Sequence, residues 1–318
     1  MKRLSIIIVT YNSEHDIYDC VSSIMKFSDI PLSEIELIIV DNNSRDTDTM
    51  FIKLKELYGN DIVLIKNTHN GGYGQGNNVG IKKATAPVIL IMNPDVRLIE
   101  PFFKTAVEAF ENDSELAMYG MKQMLTPTLP STNSFTCTYA INGYVQTIMS
   151  SVCNRYDHYI AKHMHFSGSC FYIRKQMFEH AGLFDESVFM YGEEEDIHYR
   201  MWQLGYTKMV YNPKLHYIHL VKERKPDLKY ELKLIDVAVF QNEKKGFSAK
   251  KTLKDRLRNT NMLIAREKLK IFMGKTDKSL INMLIELKTE IKNKVKRKHL
   301  QKYPKGISDI SKVKRDAV

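Results

Sequence analysis

Short apolar runs alternate with amphipathic stretches along the first third of the chain. Leu4 to Thr10 (LSIIIVT) is a β-branched run too short for a buried helix, so it predicts a strand. Asn12-Ser13 follows as a cap, with Glu14 and Asp16 in the first turn of a helix that should end near Phe27. Glu36 to Val40 (ELIIV) predicts a second strand, and the stretch from Asp46 to Tyr58 a second helix. Ile62 to Ile65 predicts a third strand, the glycine-rich turn NGGYGQGN opens a helix to about Lys83, and Val88 to Met92 (VILIM) is the fourth strand. Strands this apolar, spaced by helices, belong to a parallel sheet covered on both faces, so the class is α/β. Ligands of such sheets bind beyond the carboxyl ends of the strands. Here those ends are Thr10-Tyr11-Asn12, Asp41-Asn42-Asn43 and Asn93-Pro94-Asp95, all polar.

The middle is less regular. Gln123 to Asn154 holds no charged residue but is rich in Thr, Ser, Asn and Pro. It predicts a covering loop and then a helix with Ile141, Val145, Ile148, Met149 and Val152 on one face. A packed lid is the simpler expectation, and an acceptor-facing or membrane-facing surface the alternative. Phe166–Ile173 reads as a strand, Lys175–Ala181 and Glu193–Leu204 as helices, and Lys208–Tyr211 and Leu215–Leu220 as closing strands. In the tail, Leu228, Leu232, Ile235 and Val239 recur at helix spacing, as do Leu280, Leu284, Leu287, Ile291 and Val295.

Composition narrows this picture. Of 318 residues, 43% are apolar and 26% charged, too apolar for a disordered chain. No run is long enough to span a bilayer, no signal-peptide pattern is present, and four scattered cysteines form no CxxC pair. The expectation is a cytosolic, reduced protein. The net charge of +10 conceals a split: residues 1–221 hold 19 basic against 25 acidic residues, and residues 222–318 hold 28 against 12. The tail therefore carries all the basicity, which suggests an anionic partner and a boundary near residue 221.

Several residues can carry chemistry. Asp41, at a strand end, suits either an N-cap or the imide N–H of a uracil or thymine. Asn93-Pro94-Asp95 offers Asp95 as an oxygen ligand for Mg²⁺ or Mn²⁺, or is a plain turn. The run from Asn70 to Gly80 fails both as a dinucleotide fingerprint and as a Walker loop. It still requires a backbone that approaches something closely. Tyr191-Gly-Glu-Glu-Glu-Asp196 is the most acidic point of the chain, and mutual repulsion there can raise one carboxyl toward a base's range. His216 and His219 lie an odd number of residues apart on a strand, hence on opposite faces.

Taken in order, SIIIVTYNS, VDNNS, NGGYGQGNN, NPD, FSGSCFYIR, GLFDESVFMYGEEEDIHYRMWQLGY and NPKLHYIH resemble the family 2 glycosyltransferases over roughly residues 4–221. The resemblance implies a GT-A fold with a mainly parallel central sheet. It also implies a nucleotide-sugar-binding half at 1–96, an acceptor half at 97–221, and a basic amphipathic helical region at 222–318. Thr10, Tyr11, Asn12, Asp41, Asn43, Gly72, Asn77, Asn93 and Arg200 would then bind the nucleotide sugar. Asp95 and His219 would hold Mg²⁺ or Mn²⁺, with Asn93 standing where the family's DxD motif has its first Asp. Glu194 takes the position of the catalytic base, with Glu193 and Asp196 as alternatives because the family's usual residue there is Asp.

The implied reaction is inverting transfer from dTDP-rhamnose or a UDP-sugar to a saccharide or lipid-linked saccharide, in bacterial cell-surface polysaccharide synthesis. The NPD pattern leans toward rhamnosyl transfer. The tail implies a peripheral place on the cytoplasmic face of the inner membrane, or homo-oligomerisation. Competing readings are a sugar-1-phosphate nucleotidyltransferase, which lacks its Gly- and Arg-rich first loop here, and a catalytically silent relative that binds an anionic polymer. A nucleic-acid-binding module is disfavoured because the tail has few aromatics for base stacking.

Overall fold

The computed structural model describes residues 1–59, 62–137, 143–220, 227–272 and 278–296. The first unit contains β1 (Leu4–Thr10), α1 (Glu14–Phe27), β2 (Ile35–Asp41), α2 (Thr47–Tyr58), β3 (Ile62–Lys66), α3 (Gly72–Lys83) and β4 (Val88–Met92). It continues through β5 (Val96–Leu98), α4 (Phe103–Asn112), β6 (Met118–Met124), β7 (Phe135–Cys137), α5 (Gly143–Arg155), β8 (Met164–Phe166), β9 (Cys170–Arg174), α6 (Lys175–His180), α7 (Glu193–Gln203) and β10 (Met209–His219). The second unit contains α8 (Leu228–Lys244), α9 (Ala249–Phe272) and α10 (Lys278–Lys296). Chain contacts divide the molecule into Met1–Arg224 and Lys225–Val318. The expected boundary residue 221, Ile141 and the tail beyond 296 lie outside the described residues.

The main sheet runs β3-β2-β1-β4-β9-β6-β10-β5. Its first four strands are parallel, as is the β6–β10 pair, whereas β9 and β5 run antiparallel to their neighbours. This is the mostly parallel α/β sheet that the apolar runs imply. Period-two alternation splits β1 between two cores: Leu4, Ile6 and Ile8 pack under α1 and α4, and Ile7 packs on the opposite face. Helix α3 reaches that opposite face closely because Gly76 and Gly80 have no side chain. A β-carbon at Gly76 would stand 2.7 Å from Val9, and one at Gly80 2.6 Å from Ile7. The glycine-rich run thus makes its close approach to its own sheet.

Three local readings change. The strand expected over Phe166–Ile173 is cut at Ser167–Ser169, where the chain leaves the small β7–β8 sheet and enters the main one. The two closing strands are one, β10, with a register shift between Asn212 and His216 where Pro213 has no N–H to give. Helix α5 reverses the packed-lid expectation. Three of its polar residues face inward: Ser150 Oγ accepts the Cys137 N–H at 3.0 Å, Gln146 donates to the Cys137 carbonyl, and Asn154 accepts the N–H of Ser134 and donates to the carbonyl of Phe135. Side chains thereby satisfy the free edge of β7, and the apolar stripe is left outward.

The second unit has a core of its own, formed by Ile235, Val239, Leu253, Ile264, Leu284, Leu287 and Ile291. Asp227 caps α8 by accepting the N–H groups of Lys229 and Tyr230. The aliphatic stripes read from the tail are therefore buried among its own helices. No described helix is long and apolar enough to cross a membrane.

Candidate active site

Four segments end at the same edge of the sheet. Asn12 and Asn43, just past β1 and β2, both take positive φ (49° and 61°), a conformation asparagine tolerates better than most residues. These turns bring Thr10, Ser44 and Thr47 around Asp41, which is fully buried. Its carboxylate accepts from Thr10 Oγ1 at 2.9 Å, Ser44 N at 2.8 Å, Ser44 Oγ at 2.5 Å and Thr47 Oγ1 at 2.5 Å. Those four donors fill the roughly four acceptor sites of a carboxylate. Asp41 thus knots the strand ends together, and the residues left facing solvent beside it are Tyr11, Asn12 and Asn43. Ser44 and Thr47 were not foreseen as partners; the Ser and Thr three and six residues after Asp41 are the signal for them.

Gly72 and Asn77 also turn inward. Gly72 (φ 89°) leaves no room above it, since a β-carbon would sit 1.8 Å from the Phe189 carbonyl oxygen. Asn77 is buried, donating from Nδ2 to the Tyr73 carbonyl at 2.9 Å, while its Oδ1 has no partner. Arg200 donates to Asp196 at 2.7 and 2.8 Å, to the Leu183 carbonyl at 2.7 Å and to the Ala181 carbonyl. Every guanidinium nitrogen is thus engaged inside the protein, and Asp196 with it, clamping the turn ahead of α7.

The NPD turn behaves differently. Asp95 follows β4, and β10 returns beside it with His219 opposite Val96. His219 Nε2 lies 3.3 Å from Asp95 Oδ1, and both side chains are partly exposed. His216 instead bonds Glu100 at 2.8 Å, so the two histidines have different partners. An imidazole and a carboxylate at this separation fit a divalent cation of the Mn²⁺ or Mg²⁺ kind, with donor phosphates and water completing the shell. Among the described residues no cluster of three such groups exists.

The acidic run enters α7 through two consecutive positive-φ residues, Tyr191 and Gly192. Glu193 is buried, its Oε1 has no hydrogen-bond partner, and burial with the neighbouring Glu194 pushes its carboxyl up from 4.5 to about 8. Glu194 is raised as well, chiefly by burial, with hydrogen bonds from its own backbone and that of Gly192 opposing and Glu195 adding to the rise. Its carboxylate rests on Gly168. The Ser167–Ser169 loop below it is pinned from several sides. Tyr73 donates its hydroxyl to the Gly168 carbonyl at 2.7 Å, and Ser169 Oγ meets the Tyr217 hydroxyl at 2.9 Å. The Ser169 carbonyl in turn accepts the Asn93 N–H at 2.8 Å. One short loop therefore joins the NPD turn to Glu194. Tyr73 and Gly168 were not foreseen as site residues, although the FSGSCF segment holds the small residues such a loop needs.

Residues 5–182 match glycosyl transferase family 2. The chain belongs to that family. The match ends ahead of α7, so the acidic run and His219 lie beyond it. Among characterised relatives, the family 2 chain is 28% identical over 204 residues to the low-salt glycan biosynthesis hexosyltransferase Agl10 of Haloferax volcanii, covering 62% of this chain and 61% of that one. It is 31% identical over 126 residues to the poly(ribitol-phosphate) β-N-acetylglucosaminyltransferase TarS of Staphylococcus aureus, covering 38% and 21%. The chain thus spans about three-fifths of the first relative and a fifth of the second. Its fold is that of the mannosyltransferase PcManGT from Pyrobaculum calidifontis, solved with GDP-Man and Mn²⁺, at a TM-score of 0.59, 14% identity and coverage of 92% and 86%.

Proposed function

We propose that the chain is an inverting glycosyltransferase that moves a sugar from a nucleotide-diphosphate donor, dTDP-rhamnose or a UDP-sugar, to a saccharide acceptor of a bacterial cell-surface polysaccharide. The observation that carries this reading is the Ser167–Ser169 loop, which ties the Asp95 turn and Glu194 into one site. Tyr11, Asn12 and Asn43 border the donor's nucleoside. Asp95 and His219 hold the divalent cation, which when bound neutralises charge on the leaving diphosphate. Glu194 accepts the acceptor hydroxyl's proton, and its raised pKa keeps the product acid stable while it forms. Glu193 is sealed from the acceptor and neutral near pH 7, so it suits holding a proton beside Glu194 better than taking one. No second nucleophilic carboxylate is needed for a single inverting displacement, unlike a retaining glycosidase.

A panel of sugar nucleotides, scored by Mn²⁺-dependent thermal stabilisation and then by NMR of the transferred sugar's anomeric configuration, tests the reading. Stabilisation by one donor with inverted product supports it; no stabilisation by any sugar nucleotide, or retained configuration, overturns it.

The basic unit supports a second, coarser assignment: electrostatic contact with an anionic surface on the cytoplasmic face of the inner membrane, where a lipid-linked acceptor lies. Because its aliphatic stripes are spent on its own core, its lysines and arginines carry that role. Retention of the full chain on anionic vesicles at low salt is the expected result, and homo-oligomerisation through this unit is the competing outcome.

A further inference from the structure

Helix α5 is turned inside out. Gln146, Ser150 and Asn154 are spent on the edge of β7, while Val145, Ile148, Met149 and Val152 stand 38–50% exposed along the opposite side. Tyr156, just past the helix, extends the stripe and is 73% exposed. A solvent-facing helix ordinarily carries charge there, yet none occurs between Gln123 and Asn154. Arg155, the last residue of α5, and Lys162, in the turn before β8, are exposed. Asp157 is the sole acidic residue between Lys122 and Glu179, and its carboxylate is occupied by Lys122 at 2.7 Å and Tyr211 at 3.0 Å. The surface is therefore aliphatic at its centre, aromatic at its border and basic at its rim.

We propose that this face seats the catalytic unit on an anionic bilayer. Ile148, Met149 and Val152 enter the boundary between headgroups and acyl chains, Tyr156 lies at the headgroup level, and Arg155 and Lys162 meet lipid phosphates. Lipid fits better than a second copy of the chain. An anionic headgroup layer answers the exposed Arg155 and Lys162, and the one acidic residue between Lys122 and Glu179, Asp157, is already paired. The proposal stands independently of the reaction and of the basic tail, because it rests on the polarity reversal of α5 and the charge of residues 122–179.

The full chain and its I148E/V152E variant are compared by co-sedimentation with phosphatidylglycerol–phosphatidylcholine vesicles. Salt is raised from about 0.1 M to about 1 M, which shortens the Debye length from about 10 Å to about 3 Å and strips purely electrostatic contacts. Both substitutions fall on exposed positions, and I52E/L57E on exposed positions of α2 controls for added charge. Wild type and the α2 variant should stay bound at high salt, whereas I148E/V152E should lose salt-resistant binding on the order of tenfold or more. Equal binding by I148E/V152E, or complete release of wild type at high salt, overturns the proposal. So does a lipid-free wild-type dimer, seen by light scattering, that I148E/V152E converts to monomer.

Discussion

Gly168 supports Glu194 by having no side chain: a β-carbon at 168 would stand 1.9 Å from Glu194 Oε1. The loop cannot yield easily, because Tyr73, Tyr217 and the Asn93 backbone hold it. Gly168→Ala should therefore swing the carboxylate away and lower kcat on the order of 10²-fold, the usual consequence of misplacing a catalytic group by about 1 Å. Donor affinity, measured by titration calorimetry, should change little. Unaltered kcat would show that Glu194 does not work from this position.

Glu194→Gln should keep donor binding and lose roughly 10²–10⁴ in turnover, since an amide cannot take the acceptor's proton. Glu193→Gln should retain much more activity, because the residue it replaces is buried and neutral near pH 7. Single-turnover kinetics on both variants distinguishes them, and the reverse ranking would move the base to Glu193.

Stability should fall with rising pH. Glu193 binds its proton up to about pH 8 in the folded chain and only to about 4.5 when exposed. Its stabilising contribution is thus complete below about 4.5 and drains away as pH climbs toward 8, at no more than roughly 1.4 kcal/mol per pH unit. Melting temperatures between those limits should decline for wild type and decline less steeply for Glu193→Gln, in which Glu194 remains raised. Parallel curves would remove this residue as the source.

Asp95→Asn should abolish Mn²⁺-dependent donor stabilisation while leaving the metal-free melting temperature nearly unchanged, because Asp95 is partly exposed and its side chain pairs with the partly exposed His219. His219→Ala should weaken the same response. Full wild-type activity in excess chelator would sink the metal assignment, and Asn93 in the NPD turn makes weak metal binding the expectation.

Asp41→Asn should be a stability variant first. It removes a charge that accepts four hydrogen bonds in a fully buried knot. The amide NH₂ would then face donors it cannot accept, costing about 1–3 kcal/mol. Urea denaturation should show that loss, whereas an unchanged midpoint with lost donor binding would return Asp41 to the nucleoside.

The sequence by itself determined the strands of the parallel half. LSIIIVT is β1 residue for residue and VILIM is β4, because short apolar runs rich in β-branched residues suit strands buried between two helical layers. Asp95 and His219 were paired only through the family resemblance, and their 3.3 Å approach comes from β10 returning beside the turn after β4. Helical periodicity placed Val145, Ile148, Met149 and Val152 on one face, but periodicity says only that residues share a face, not which way it points. That was decided by three backbone groups of β7, whose N–H and C=O needed partners and took Gln146, Ser150 and Asn154. Asp41 is the same case: its ligands come from Thr10, Ser44 and Thr47, and only the turns after β1 and β2 bring them to it. Local patterns set which elements form, while hydrogen-bond satisfaction across distant segments, a property of the folded chain alone, set which polar groups are spent inside and which remain for chemistry.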